Sequence, residues 1–311
     1  MRGRKLSRRA FATGAAALLG ASAGAGAAKV APAKRQVETS LGRLDIPAMP
    51  QRVVAIDSRI GLEQALAFDL PLVGYSHSRA RSWVPVPASV PFLAAPPDLE
   101  QILMLAPDLI LCPDSAPNSD WWPLLRLPAI APVLPSNHRI TWQENLTQLG
   151  GWLGRPEGAA RVVAAHAEAI AAIRVRHRPV IESALFAAVH YDAIKRRLLV
   201  RSAGTRYGLV MPAQVLAELG GREVSADRLG PNGEVALDSF GDVLGAVDAI
   251  LLIDFGDGGP MELAHEPLWQ RLPAVRAGRV ETVVGNCTFG SLYTARYLAR
   301  AWDALFARLS A

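Results

Sequence analysis

The chain has 311 residues, 50% of them hydrophobic, enough for two cores of ordinary size. Its net charge of +5 comes from 33 basic and 28 acidic residues. Arg2, Arg4, Lys5, Arg8 and Arg9 crowd a leader without acids, so the remainder is neutral and a basic groove for nucleic acid is excluded.

Ser7-Arg8-Arg9-Ala10-Phe11 carries a paired arginine, an alanine-rich apolar run follows, and small residues close it near position 28. These are the parts of an export signal of the twin-arginine (Tat) type over residues 1–28, which implies a periplasmic protein, soluble after cleavage. The run is too short, and too rich in Ala and Gly, to span a bilayer, and no later stretch reaches about 18 unbroken apolar residues. Cys112 and Cys287 are too few for a disulfide framework and are expected to be separate buried thiols.

Residues 29–50 are polar and proline-bearing and are expected to be a loose lead-in. Short apolar runs then alternate with helical patterns. Strands are expected over 53–56, 72–75, 109–112 and 130–134, with helices over 61–68, 99–105 and 142–153. Residues 156–178 form one amphipathic helix: Pro156 suits its first turn, and Val163, Ala167, Ile170 and Ile173 recur on one side. Arg174, Arg176 and Arg178 sit at its negative end, and Pro179 is expected to stop it. Beyond it, strands are expected over 184–189, 197–200, 248–253 and 280–284, with helices over 210–219 and 291–309. The fold class is α/β: two Rossmann-like lobes with mostly parallel sheets, joined by one long α-helix. The division is an N-terminal lobe over 51–154, the linking helix over 155–179 and a C-terminal lobe over 180–311. In such sheets a ligand binds beyond the carboxyl ends of the strands.

Several phrases, in order, carry a resemblance. They are Arg52-Val53-Val54-Ala55; Pro97-Asp98-Leu99-Glu100 with Pro107-Asp108-Leu109-Ile110; Val215-Leu216-Ala217-Glu218-Leu219-Gly220; and Pro267-Leu268-Trp269-Gln270-Arg271-Leu272-Pro273 running on to Val280. Together they resemble the periplasmic substrate-binding proteins of iron–siderophore and cobalamin ABC importers, the class whose two lobes share a single helix, and ferric hydroxamate binders most of all. The resemblance implies a ferric-siderophore ligand, an ABC permease and its ATPase as partners, a monomer, no cofactor, and iron only as part of the chelate. It also implies two acids that dock on the permease: Glu100 in the N-terminal lobe and Asp238 in the other.

The hydroxamate binders' pocket transfers poorly, so the resemblance does not extend to a hydroxamate ligand. Trp83 lies where they hold a tryptophan against the ligand, but Ala94 replaces their ligand-facing arginine, Cys287 and Gly230 stand near further tryptophans, and Phe289 replaces a tyrosine. The expected strand-end loops bring Arg59, Arg79, Arg81, Trp83, Tyr191, Arg201, Arg206, Tyr207, Phe289 and Tyr293. As a set these favour an anionic chelate, with arginine forks on its oxygens and aromatic walls around it.

Two other readings compete. His77, His138, His190 and Asp254 fall at expected strand ends and would make a zinc or manganese set, though without short ligand spacing; cobalamin or haem is a further alternative ligand. An enzyme is disfavoured, because G-x-G-x-x-G after a strand, the P-loop, H-E-x-x-H and G-x-S-x-G are all missing.

Overall fold

The computed structural model describes residues 33–79, 81–115, 119–203 and 209–310. The leader over 1–28 lies outside the described residues, as do Arg206 and Tyr207.

The chain opens on an antiparallel hairpin, β1 (Lys34–Thr39) and β2 (Gly42–Pro47), where the sequence suggested a loose lead-in. Gly42, at φ 93°, makes the turn with a backbone that a Cβ would strain. Ile46 and Val37 are buried, and the Trp152 indole donates to the Glu38 carbonyl at 2.9 Å, so the hairpin is fastened to the body.

β3 (Val53–Ala55), α1 (Gly61–Ala67), β4 (Leu72–Tyr75), α2 (Leu99–Met104), β5 (Leu109–Pro113) and β6 (Val133–Ser136) follow. Their four strands form a wholly parallel sheet in the order β4-β3-β5-β6. Every residue of β3 and β5 is buried, as expected of parallel strands covered on both faces. Next come α3 (Trp142–Trp152), opened by a Thr141–Glu144 capping box, and α4 (Pro156–Ser183).

At 28 residues α4 extends past the expected stop. Pro179 lies inside it, and the backbone departs from helical geometry at His177, with φ −114° and ψ 19°. Pro179 has no N–H to donate and its ring crowds the carbonyl one turn back, so the helix kinks there rather than ending. His177 Nε2 and Arg176 Nη1, both on Asp303 Oδ1 at 2.8 and 2.7 Å, tie the kink to the last helix.

The remaining elements are β7 (Leu185–Asp192), β8 (Arg197–Val200), α5 (Met211–Leu219), β9 (Arg222–Glu223), β10 (Glu234–Ala236), α6 (Phe240–Leu244) and β11 (Ala249–Asp254), followed by α7 (Gly259–Ala264), α8 (Pro267–Gln270), α9 (Pro273–Arg276), β12 (Val280–Val284) and α10 (Leu292–Ser310). The second sheet runs β10-β8-β7-β11-β12 and is mixed. β11 is parallel to β7 and to β12, whereas β8 and β10 run antiparallel. β7 pairs with β9 over its first residues and with β8 over its last.

Strand periodicity decides which layer each side chain joins. Val53, Leu109, Leu111, Phe186, Ala188, Leu251 and Ile253 enter one core that runs from the first sheet past α3 and α4 to α10 and the second sheet. Their neighbours take the opposite faces: Val54, Ile110 and Cys112 on the first sheet, Ala187, Val189, Ile250 and Leu252 on the second. The inner core is therefore continuous between the two sheets, with a separate cluster on each outer face.

Candidate functional site

The carboxyl ends of the first sheet converge on one buried carboxylate. Asp57 follows β3 and is fully buried, and its Oδ1 accepts from the backbone N–H of Arg59 at 3.0 Å and from Arg59 Nε at 2.9 Å. Its Oδ2 lies 3.3 Å from Nε2 of His138, which stands just past β6, and its Oδ1 lies 4.0 Å from Nδ1 of His77, just past β4. Burial alone would raise the Asp57 carboxyl, but Arg59 and the His138 bond outweigh it and hold the group well below the usual carboxylate range.

Aromatic rings enclose the cluster. His77 stacks on Trp122 at 5.1 Å and meets Trp121 edge-on at 5.6 Å. The Arg59 guanidinium lies over Trp122 at 5.5 Å and over Phe289 at 5.1 Å. Phe289 comes from the loop after β12 and also meets His138 at 4.8 Å, so side chains from the ends of both sheets touch here. His138 Nδ1 shares a 2.6 Å hydrogen bond with the Ser115 hydroxyl. Burial, reinforced by Arg59, drives the His77 imidazole down to about 4, which keeps it neutral near pH 7.

A second buried node joins α1 to α10. Glu63 Oε2 accepts from the N–H groups of Ser291 and Thr294 at 2.8 and 2.9 Å, and Oε1 accepts from Thr294 Oγ1 at 2.5 Å and Arg81 Nη2 at 2.6 Å. Burial raises this carboxyl, against Arg81 and the Thr294 and Ser291 donors. Every partner is a donor, so the ionised form is the one the geometry suits. Arg81 Nη1 reaches on to the carbonyls of Asn286 and Phe289 at 3.1 and 2.9 Å. Trp83 donates to Thr294 Oγ1 at 3.1 Å and stacks on Tyr297 at 4.1 Å.

The residues singled out in the sequence thus divide. Arg59 and Phe289 meet at the cluster. Arg81 and Trp83 serve the α1–α10 seam. Arg79 lies over Phe92 at 5.0 Å, and Tyr293 packs beside Ala55, Leu62 and Tyr75. Tyr191 is buried in the outer cluster of the second sheet, its hydroxyl 3.5 Å from Glu266. Arg201 lies over Phe255, which stacks on His190 at 3.8 Å. Glu100 and Asp238 are exposed, each in the first turn of a short helix. The α2 cap is supplied by Asp98, which accepts from the Glu100 N–H at 2.8 Å and leaves the Glu100 carboxylate outward.

The histidine set separates as well: His77 and His138 share Asp57, whereas His190 bonds the Ile253 carbonyl and Asp254 accepts from the Gly256 N–H. Among the described residues no group of three His, Cys, Asp or Glu side chains could hold a metal ion. Both cysteines are free and buried.

Asp57, Glu63, Trp122 and Thr294 were not singled out. One signal was present for Glu63, an acid among the packing residues Leu62, Ala65 and Leu66.

A parallel-sheet half and a mixed-sheet half meet here through their strand-end loops, the place where open α/β sheets bind ligands. The chain belongs to the periplasmic binding protein family, whose model matches residues 64–283. Solved structures agree in fold. A periplasmic solute binding protein from Mycobacterium smegmatis is 17% identical, with 89% of this chain and 99% of that chain covered and a TM-score of 0.74. The Fe3+–Desferal-bound siderophore binding protein FhuD from Vibrio cholerae is 22% identical, covering 83% and 98%, at a TM-score of 0.66. The siderophore periplasmic binding protein from the fuscachelin gene cluster of Thermobifida fusca is 20% identical, covering 84% and 98%, at a TM-score of 0.66. No curated protein matches the chain. Among the described residues no helix is long and apolar enough to cross a membrane.

Proposed function

We propose that this chain is the solute-binding component of an ABC importer, exported to the periplasm by its twin-arginine leader, and that it captures a ferric-siderophore chelate between its two halves. The carrying observation is the meeting of Phe289, from beyond β12, with Arg59 and His138 at the carboxyl ends of β3 and β6. It supports a cleft walled by both halves and lined with rings suited to the apolar parts of a ligand. The Fe3+–Desferal bound to the Vibrio neighbour, and the description of the Thermobifida neighbour as a siderophore periplasmic binding protein, support the ligand class. In this reading residues 51–154 and 180–311 act as lobes, residues 155–179, most of the kinked α4, link them, and the protein works as a monomer that binds without chemistry.

Glu100 and Asp238 are the docking acids. Both are exposed on separate sheets' flanks, where two anionic points would set register on a cationic permease rim. The ATPase acts through that permease.

Intrinsic tryptophan fluorescence tests the reading, because Trp121 and Trp122 border the cluster. Titration with ferric chelates, cobalamin, haem and zinc is expected to give saturable quenching by a ferric chelate and none by its iron-free form. A response to zinc alone would overturn it.

A further inference from the structure

Two of the arginines that suggest an anionic ligand in the sequence, Arg59 and Arg81, are not left as open charges. Arg59 Nε holds Asp57 at 2.9 Å and Arg81 Nη2 holds Glu63 at 2.6 Å, and both carboxylates are fully buried. The Arg59 and Arg81 side chains are only 13% and 7% exposed. Arg81 Nη2 also donates to the Ser58 carbonyl at 3.3 Å, and the Ser58 hydroxyl lies 3.5 Å from His77 Nδ1, so the seam pair adjoins the Asp57 cluster. Rings border the wall they form: Trp121, 45% exposed, meets His77, which stacks on Trp122, and Phe289 meets His138.

We propose that Asp57 and Glu63 set the charge class of the ligand, cancelling Arg59 and Arg81 in place so that this wall selects a ferric chelate of little net charge over a multiply anionic one. This rests on the ferric-chelate reading above and adds a specificity determinant to it. Three singly charged hydroxamates neutralise a ferric ion, whereas three doubly charged catecholates leave a triple negative charge. A trianion brought to this wall would give up its water and meet two cations already satisfied by buried carboxylates, which repel it. A neutral complex gives up less hydration and gains ring contact and cation–π surface.

The test compares two probes on the mature protein, a ferric tris-hydroxamate and a ferric tris-catecholate. The hydroxamate complex is expected to bind at least tenfold more tightly, with an affinity nearly constant between low and high salt. Asp57→Asn uncovers the Arg59 charge and is expected to narrow or reverse that ratio, a change that mere loosening of the site would not produce. The double variant Asp57→Asn, Arg59→Gln removes the pair together and is expected to keep the original preference. Equal or tighter binding of the catecholate complex by the unaltered protein, or a steep loss of hydroxamate affinity with salt, would overturn the proposal, and either is readable without any variant. Binding of neither probe would instead overturn the ferric-chelate reading, and this inference with it.

Discussion

His77 adopts a left-handed backbone, φ 82°, between a buried carboxylate and two indoles. Burial holds its imidazole pKa at about 4 in the folded protein, below the ordinary 6.5. The folded state therefore disfavours the proton that the unfolded chain accepts. On this account stability is unaffected above about pH 6.5, falls progressively as pH drops toward about 4, and changes no further below that. Asp57, held low, adds a loss in the same direction at more acid pH, as its carboxylate protonates. NMR titration of the His77 ring is expected to give a midpoint near 4, and a midpoint near 6.5 would contradict the packing described. None of this was legible in the sequence, where His77 was one of four candidate metal ligands. Its character depends on Trp122 and Asp57, which reach it only through the ends of β3 and the loop beyond β5.

At the scale of elements, the seam between α1 and α10 rests on a carboxylate set at the first N–H groups of a helix, a position that favours negative charge. Glu63 and Thr294 stand 231 residues apart, and Arg81 and Phe289 208 apart, separations across which no sequence pattern pairs residues. Removing one member of a buried pair strands the other. Arg81→Ala is expected to cost about 3 kcal/mol or more in urea unfolding, seen as a lower midpoint with an unchanged slope. A loss below about 1 kcal/mol would show that the pair does not hold the seam. The strands were readable because both faces are covered and the apolar runs are unbroken, as in Leu109-Ile110-Leu111-Cys112. The β1–β2 hairpin was not, because its outward residues are polar and only Val37 and Ile46 are buried. The α4 boundary was misread for a local reason: proline is a strong stop signal, yet packing of His177 and Arg176 on Asp303 carries the helix past it.

For the whole molecule, the order of strands and helices, read along the chain, is enough to give two sheets, and the ordered phrases from Arg52 to Val280 give the family. It does not show that one core runs between them, nor that Arg59 and Arg81 are held by buried carboxylates. Delivery and capture should separate. Glu100→Lys with Asp238→Lys is expected to abolish uptake while leaving ligand affinity unchanged, since both carboxylates are exposed and neither joins the Asp57 cluster. Loss of ligand binding in that variant would refute the division of roles. Equilibrium dialysis of the mature protein against radiolabelled ferric siderophore decides whether the protein captures iron as a chelate. Saturable retention of one iron per chain is expected, displaced by excess of the same ferric complex and not by zinc. Equal ferric-siderophore concentrations on both sides of the membrane at every protein concentration, or retention of free metal without the chelator, would contradict capture of the chelate.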